Sequence, residues 1–133
     1  MTTLLWHGVR PSDSDEIVLM TSNQAEGWAN LPLYLDEVNY AAEFNWGYGG
    51  AGSEQLAYSI LRSFYEICQG LPTRIAAIYA EKHHYSFMIE IVAEWHDTWG
   101  LTSQQVSEWV LSKNLAEMYQ DHIVTSGCPV SKN

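Results

Sequence analysis

The chain reads as an α+β protein, with a small N-terminal antiparallel β element of two or three short strands packed on three or four α-helices. Three observations predict this. Short runs of strand composition occupy the first 35 residues, and from residue 53 onward apolar residues recur at helical spacing. Between the two regimes lies Phe44-Asn45-Trp46-Gly47-Tyr48-Gly49-Gly50-Ala51-Gly52-Ser53, rich in glycines and aromatic rings. Glycine is costly to order and is kept where the backbone turns sharply or passes close to something. This stretch is therefore a shaped junction and not a linker.

Taken in order, Thr3-Leu4-Leu5-Trp6-His7-Gly8-Val9 has strand composition, and Arg10 to Glu16 supplies Pro, Ser and Asp turn chemistry. Ile17 to Met20 is a second β-like run, and a hairpin joins the two. Ser22 to Asn30 reads as loop. Leu31-Pro32-Leu33-Tyr34-Leu35 is a third short strand, which Pro32 places at an edge or a strand start. Ser53 is the N-cap candidate for the first helix, with Glu54 favoured in its first turn. Leu56, Ile60, Phe64 and Ile67 mark that helix's buried face, and Gly70 and Pro72 end it.

A second helix runs from Arg74 to about Trp95, with Ile75, Ile78, Tyr85, Met88, Ile89, Val92 and Trp95 in the core and a break near His83-His84. Asp97 to Gly100 is a turn. Thr102 with Gln105 forms a capping box for a further helix that buries Val106, Trp109 and Val110, and Leu115 to Ile123 continues helically. Residues 1–123 are expected to form one domain and residues 124–133 a loosely held tail.

Composition narrows the function classes. The chain has 133 residues, a formal net charge of −10, six Trp and eight Tyr. Residues 1–60 hold eight acids against one base, a net of −7; residues 61–133 hold eight against five, a net of −3. That balance argues against nonspecific nucleic-acid binding, which rests on Lys and Arg neutralising phosphates, and against anionic membranes. No apolar run is long enough to span a bilayer. Met1 to Arg10 lacks the pattern of a secretory leader, and Cys68 and Cys128 have no CxxC spacing, so a cytoplasmic protein with free thiols is expected.

These landmarks resemble the family of small bacterial and phage domains of unknown function called DUF6166. The resemblance rests on an aromatic-x-Gly strand at Trp6-His7-Gly8, on the signature from Phe44 through Leu61, and on a following helix with Tyr85, Phe87, Ile91, Val92 and Ala93. A W-x-L-T step at Trp99, Leu101 and Thr102 completes it. It covers roughly residues 4–111. The chain departs from the family pattern at Ala51, where Ser is more usual, and at Ser53, where Pro is more usual; both lie at the start of the first helix. The resemblance implies a small accessory protein of phages and mobile elements, with no assigned catalytic residues.

The residues offer little chemistry. Gly47, Gly49 and Gly52 fit the G-x-G-x-x-G spacing, but no βαβ unit surrounds them, and Glu43 and Glu54 repel phosphate. His83, His84 and His96 stand near Glu81, Glu90, Glu94 and Asp97 without a zinc signature such as HExxH. Cys68 falls on an apolar helix face, where a thiol is inert. No catalytic constellation, metal or cofactor is expected.

What remains is an acidic, aromatic-rich surface, because Trp and Tyr dominate binding hot spots and an acidic rim steers a basic partner. The partner-binding candidates are Asp13, Asp15, Glu16, Glu26, Trp28, Asp36, Glu37, Glu43, Trp46 and Tyr48. The expected partner is a host protein, such as a nucleic-acid-binding defence complex inhibited by charge mimicry in the manner of an anti-CRISPR. The alternative is a small-ligand or enzymatic domain using the Gly-rich loop 47–52.

Overall fold

A computed structural model describes residues 1–11 and 16–126, with side chains as far as residue 117. The chain divides into two units, Met1–Ser103 and the segment that begins at Gln104. The first unit is α+β. Strand β1 (Leu4–Val9) pairs antiparallel with β2 (Ile17–Ser22), Trp6 opposite Met20 and Gly8 opposite Val18. This is the expected hairpin; its connecting residues 12–15 lie outside the described residues. Leu4, Trp6 and Gly8 are buried in alternation with Leu5, His7 and Val9 on the other face, the period of a half-covered strand.

The sheet has four strands in the order β3-β2-β1-β4. β3 is only Ala29–Asn30, just before the run expected to be a strand. Leu31 still donates its N–H to Val18 at 3.0 Å, and Pro32, lacking an N–H, cannot continue the ladder. β4 (Thr98–Thr102) occupies residues expected to be largely a turn. Trp99 and Leu101 are buried while Thr98, Gly100 and Thr102 are exposed, so the strand has period-2 alternation that its glycine disguises. It pairs antiparallel with β1 and returns from beyond the second helix.

Helix α1 (Ala51–Ser63) begins earlier than Ser53 implied: Gly50 is its N-cap, in extended conformation and without a side-chain cap. It runs on through one wide π turn, Phe64–Cys68, and stops at Gly70, whose φ of +69° is the left-handed conformation that glycine adopts freely. Leu56, Ile60 and Phe64 are buried as expected, whereas Ile67, in the π turn, is exposed. Gln55, Tyr58, Ser59, Arg62 and Ser63 are buried too, so this helix is enclosed on more than its apolar face.

Helix α2 (Thr73–Glu90) starts behind Pro72, which takes the N-cap position, and packs against α1. It passes unbroken through His83 and His84. Its buried side is Ala76, Ala80, His83, His84, Phe87 and Met88, whereas Ile78, Tyr85 and Ile89, expected in the core, are exposed. Apolar residues surround this helix, so periodicity left its phase open. Small Ala76 and Ala80 are what a close helix partner selects. A 3₁₀ turn, Val92–Glu94, leads on toward β4.

In the second unit, α3 (Ser103–Ser126) starts directly after Thr102, as the capping box implied. It includes the expected helical stretch 115–123 and also residues 124–126, which the sequence had assigned to the tail; residues 127–133 lie outside the described residues. Val106 and Val110 are buried, and the Lys113 ammonium lies 5.6 Å from the Trp109 ring centroid. No helix among the described residues is long and apolar enough to cross a membrane.

Candidate functional site

The Gly-rich junction is a packed node. Trp46 is 1% exposed. Its indole N–H donates to the His96 carbonyl at 2.6 Å, and its ring meets Trp99 edge-on at 5.7 Å between centroids. Gly47 has φ +89° and donates its N–H to the Val92 carbonyl at 3.1 Å. A Cβ on Gly50 would fall 2.4 Å from the Tyr48 ring. Asn45 donates its backbone N–H to Gly52, and the Trp46 N–H goes to the Asn45 side-chain oxygen at 2.8 Å. The amides of Asn45, Trp46 and Gly47 are thus committed within the protein, and Gly47, Gly50 and Gly52 answer to close packing.

Arg10 ties this node together. Its guanidinium donates to Glu16 at 3.1 Å, to Asp97 at 3.2 Å, to the Asn45 side chain at 2.7 Å and to the Trp46 carbonyl at 3.0 Å. It also lies 4.6 Å from the Trp46 ring centroid, a cation–π contact. The lone base of the first 60 residues is thus spent on structure, together with Glu16.

Glu37 is likewise an internal anchor. Arg62, 3% exposed, grips it with two bonds of 2.7 and 2.9 Å, and the Tyr58 hydroxyl donates to it at 2.7 Å. Arg62 also bonds Glu66 and lies over the Tyr34 ring at 4.7 Å. Burial works to raise the Glu37 carboxyl, but the bonds from Arg62 and Tyr58 and the guanidinium charge outweigh it and hold it below the usual range. Burial works to lower the Arg62 guanidinium; its bonds to the two carboxylates prevail and raise it. Burial raises Tyr58, and the bond to Glu37 adds to that. Tyr34 adopts a φ of +56°, the strained left-handed region for a non-glycine residue.

Two more polar residues bind the loop of residues 33–41 to the helices. Gln55 accepts from the N–H groups of Tyr40 and Ala41 at 2.8 and 3.2 Å, and donates to the carbonyls of Leu33 and Val38 at 2.7 and 3.3 Å. His84 stacks on Tyr40 at 4.8 Å, donates Nδ1–H to the Glu81 carbonyl at 2.7 Å, and places Nε2 2.9 Å from Glu54. Cys68 is half-buried, and burial raises its thiol despite bonds to Ser103 and Leu4. Among the described residues no group of three or more His, Cys, Asp or Glu is placed to hold a metal ion.

The nominated surface therefore separates. Asp13 and Asp15 lie outside the described residues. Trp46 is a core residue, and Glu16 and Glu37 are turned to arginines. Glu26, Asp36 and Glu43 are exposed. Trp28 is 49% exposed, its ring 6.2 Å from that of His7; Tyr48 is 50% exposed.

The structure gathers Glu16, Glu43 and Tyr48 around two adjoining hollows. The larger, about 310 Å³, runs between β2, β3 and residues 42–44 and is lined by Ile17, Val18, Leu31, Leu33 and Phe44 together with Glu16, Asn30 and Glu43. The smaller, about 160 Å³, shares Glu43 and Phe44 and adds Asn45 and Tyr48. Sequence reading missed the apolar walls, because Ile17 and Leu31 were assigned only to strands. It also missed Arg10, Arg62 and Gln55 as organisers. Arg62 carried one signal, its i,i+4 spacing to Glu66 inside an apolar helix.

No curated protein and no solved structure matches this chain. A family model does match, over residues 6–112: the DUF6166 family, a family of unknown function. Its span takes in the Trp6–Gly8 strand, the junction at Phe44–Ser53 and the Trp99–Thr102 strand, three segments that meet around Trp46 and Trp99. The chain belongs to the DUF6166 family.

Proposed function

We propose that this protein acts without catalysis, by binding a basic protein through its acidic side. The observation that carries this reading is the disposition of charge. Arg10 and Arg62, two of the six cations, are consumed internally, while Glu26, Asp36 and Glu43 face solvent in the strongly acidic first half. Half-exposed Tyr48 and Trp28 add the ring types that dominate binding hot spots. In its most concrete form the protein is a phage or mobile-element inhibitor that occupies the basic nucleic-acid channel of a host defence complex.

Binding to purified CRISPR effector complexes, measured at about 0.05 and about 0.5 M salt, tests the reading, since screening weakens exposed charge pairs. The triple variant Glu26→Lys, Asp36→Lys, Glu43→Lys is expected to lose about tenfold or more in affinity, mainly through a slower on-rate. Binding indifferent to salt and to charge reversal overturns the mimicry reading, as does no binding.

A further inference from the structure

We infer that the paired hollows at the Phe44 ridge are the docking site for a segment of the basic partner in which an aliphatic side chain neighbours a lysine or arginine. This rests on the reading above and specifies the chemistry of its contact. The larger hollow takes its apolar lining from Ile17, Val18, Leu31, Leu33 and Phe44, beside Glu16, Asn30 and Glu43. At about 310 Å³, it stands at the small end of ligand pockets. It is also open to solvent. That suits a side chain on a bound polypeptide better than an enclosed small molecule.

The smaller hollow is mixed: Glu43, Asn45 and Tyr48 bring its polar groups, beside Ala41, Phe44 and Gly52. Asn45 donates its amide N–H to the Tyr48 hydroxyl at 3.1 Å, which ties that ring to the hollow that Glu43 also lines. A carboxylate and an aromatic residue lining one hollow are groups that a lysine or arginine head pairs with. Phe44 and Glu43 belong to both hollows, so the two bound side chains sit next to each other across one ridge.

Charge complementarity supports the same occupant. No basic side chain lines either hollow among the described residues. Arg10 faces two carboxylates, Glu16 and Asp97, which leaves that cluster net negative. A purely charged partner leaves the apolar walls wet, and a purely apolar one buries Glu43 without a counter-ion; a segment with both satisfies each wall.

Fluorescence anisotropy with three labelled peptides of equal length tests this: alternating Leu-Lys, alternating Ser-Lys and alternating Leu-Gln. The Leu-Lys peptide is expected to bind at least about tenfold more tightly than either control. Two variants on exposed positions, Glu43→Gln and Ala42→Trp, are each expected to weaken it by about tenfold at unchanged Tm, one by removing the carboxylate and the other by filling the larger hollow. Equal binding of Leu-Lys and Ser-Lys overturns the docking site but leaves the basic-partner reading standing. Equal binding of Leu-Lys and Leu-Gln, or no binding of any peptide, overturns both.

Discussion

Arg62 is a cation in the middle of a buried helix, and its surroundings make it tolerable. Leaving such a charge without a partner costs more than the pair itself contributes, because desolvation is not repaid. Glu37→Gln leaves Arg62 with Glu66 as its one carboxylate and is expected to destabilise the fold by about 1–3 kcal/mol in denaturant titration at neutral pH. Glu37 and Glu66 are both held below the ordinary value of 4.5, Glu66 chiefly by its bond from Arg62. A carboxyl whose folded value is depressed binds fewer protons in the native state than in the unfolded one. Its stabilisation is in place above pH 4.5 and is lost as the pH falls through the folded value. Unfolding free energy measured from neutral pH downward should drop on the acid side in the wild-type protein, and Glu37→Gln should show a shallower fall.

At the scale of elements, the segment 33–41 has no regular structure, yet it covers the polar flank of α1. Gln55 substitutes for the ladder that a strand would have had, pairing with four backbone groups of that segment. Ser59 adds a bond to the Leu33 carbonyl at 3.2 Å. Gln55→Ala leaves these groups to find water or stay unpaired, at about 1–3 kcal/mol for each one that remains buried. The expected outcome is faster amide hydrogen exchange at Tyr40 and Ala41 with α2 still protected. Unchanged exchange there would show that the remaining ties, from Arg62, Ser59 and His84, suffice to hold the segment. The helical stretch from Leu56 was legible in its spacing, and so was the first hairpin. β4 was not, because Gly100 and the short alternation around it look like a turn until β1 supplies a partner.

Across the molecule, segments far apart in sequence converge on one packing node. Gly8 of β1 stands opposite Trp99 of β4, and a Cβ at Gly8 would fall 2.2 Å from the Trp99 ring. That ring cannot swing aside cheaply, since it stacks on Trp95 at 3.9 Å and meets Trp46 at 5.7 Å. Gly8→Ala should lower stability by about 1–3 kcal/mol, read as a drop in Tm, even though alanine is otherwise better than glycine in a strand. A Tm equal to the wild type would mean that the indole relaxes. The sequence by itself determined the α+β class, the family, the acidic balance and the place of the junction, because composition and short-range periodicity are local properties. Only the tertiary structure decided that Trp46 faces inward and Tyr48 outward, that Glu16 and Glu37 serve arginines, and that Glu43 borders an apolar hollow. A side chain's environment depends on which distant segment packs against it, and local spacing carries no record of that partner.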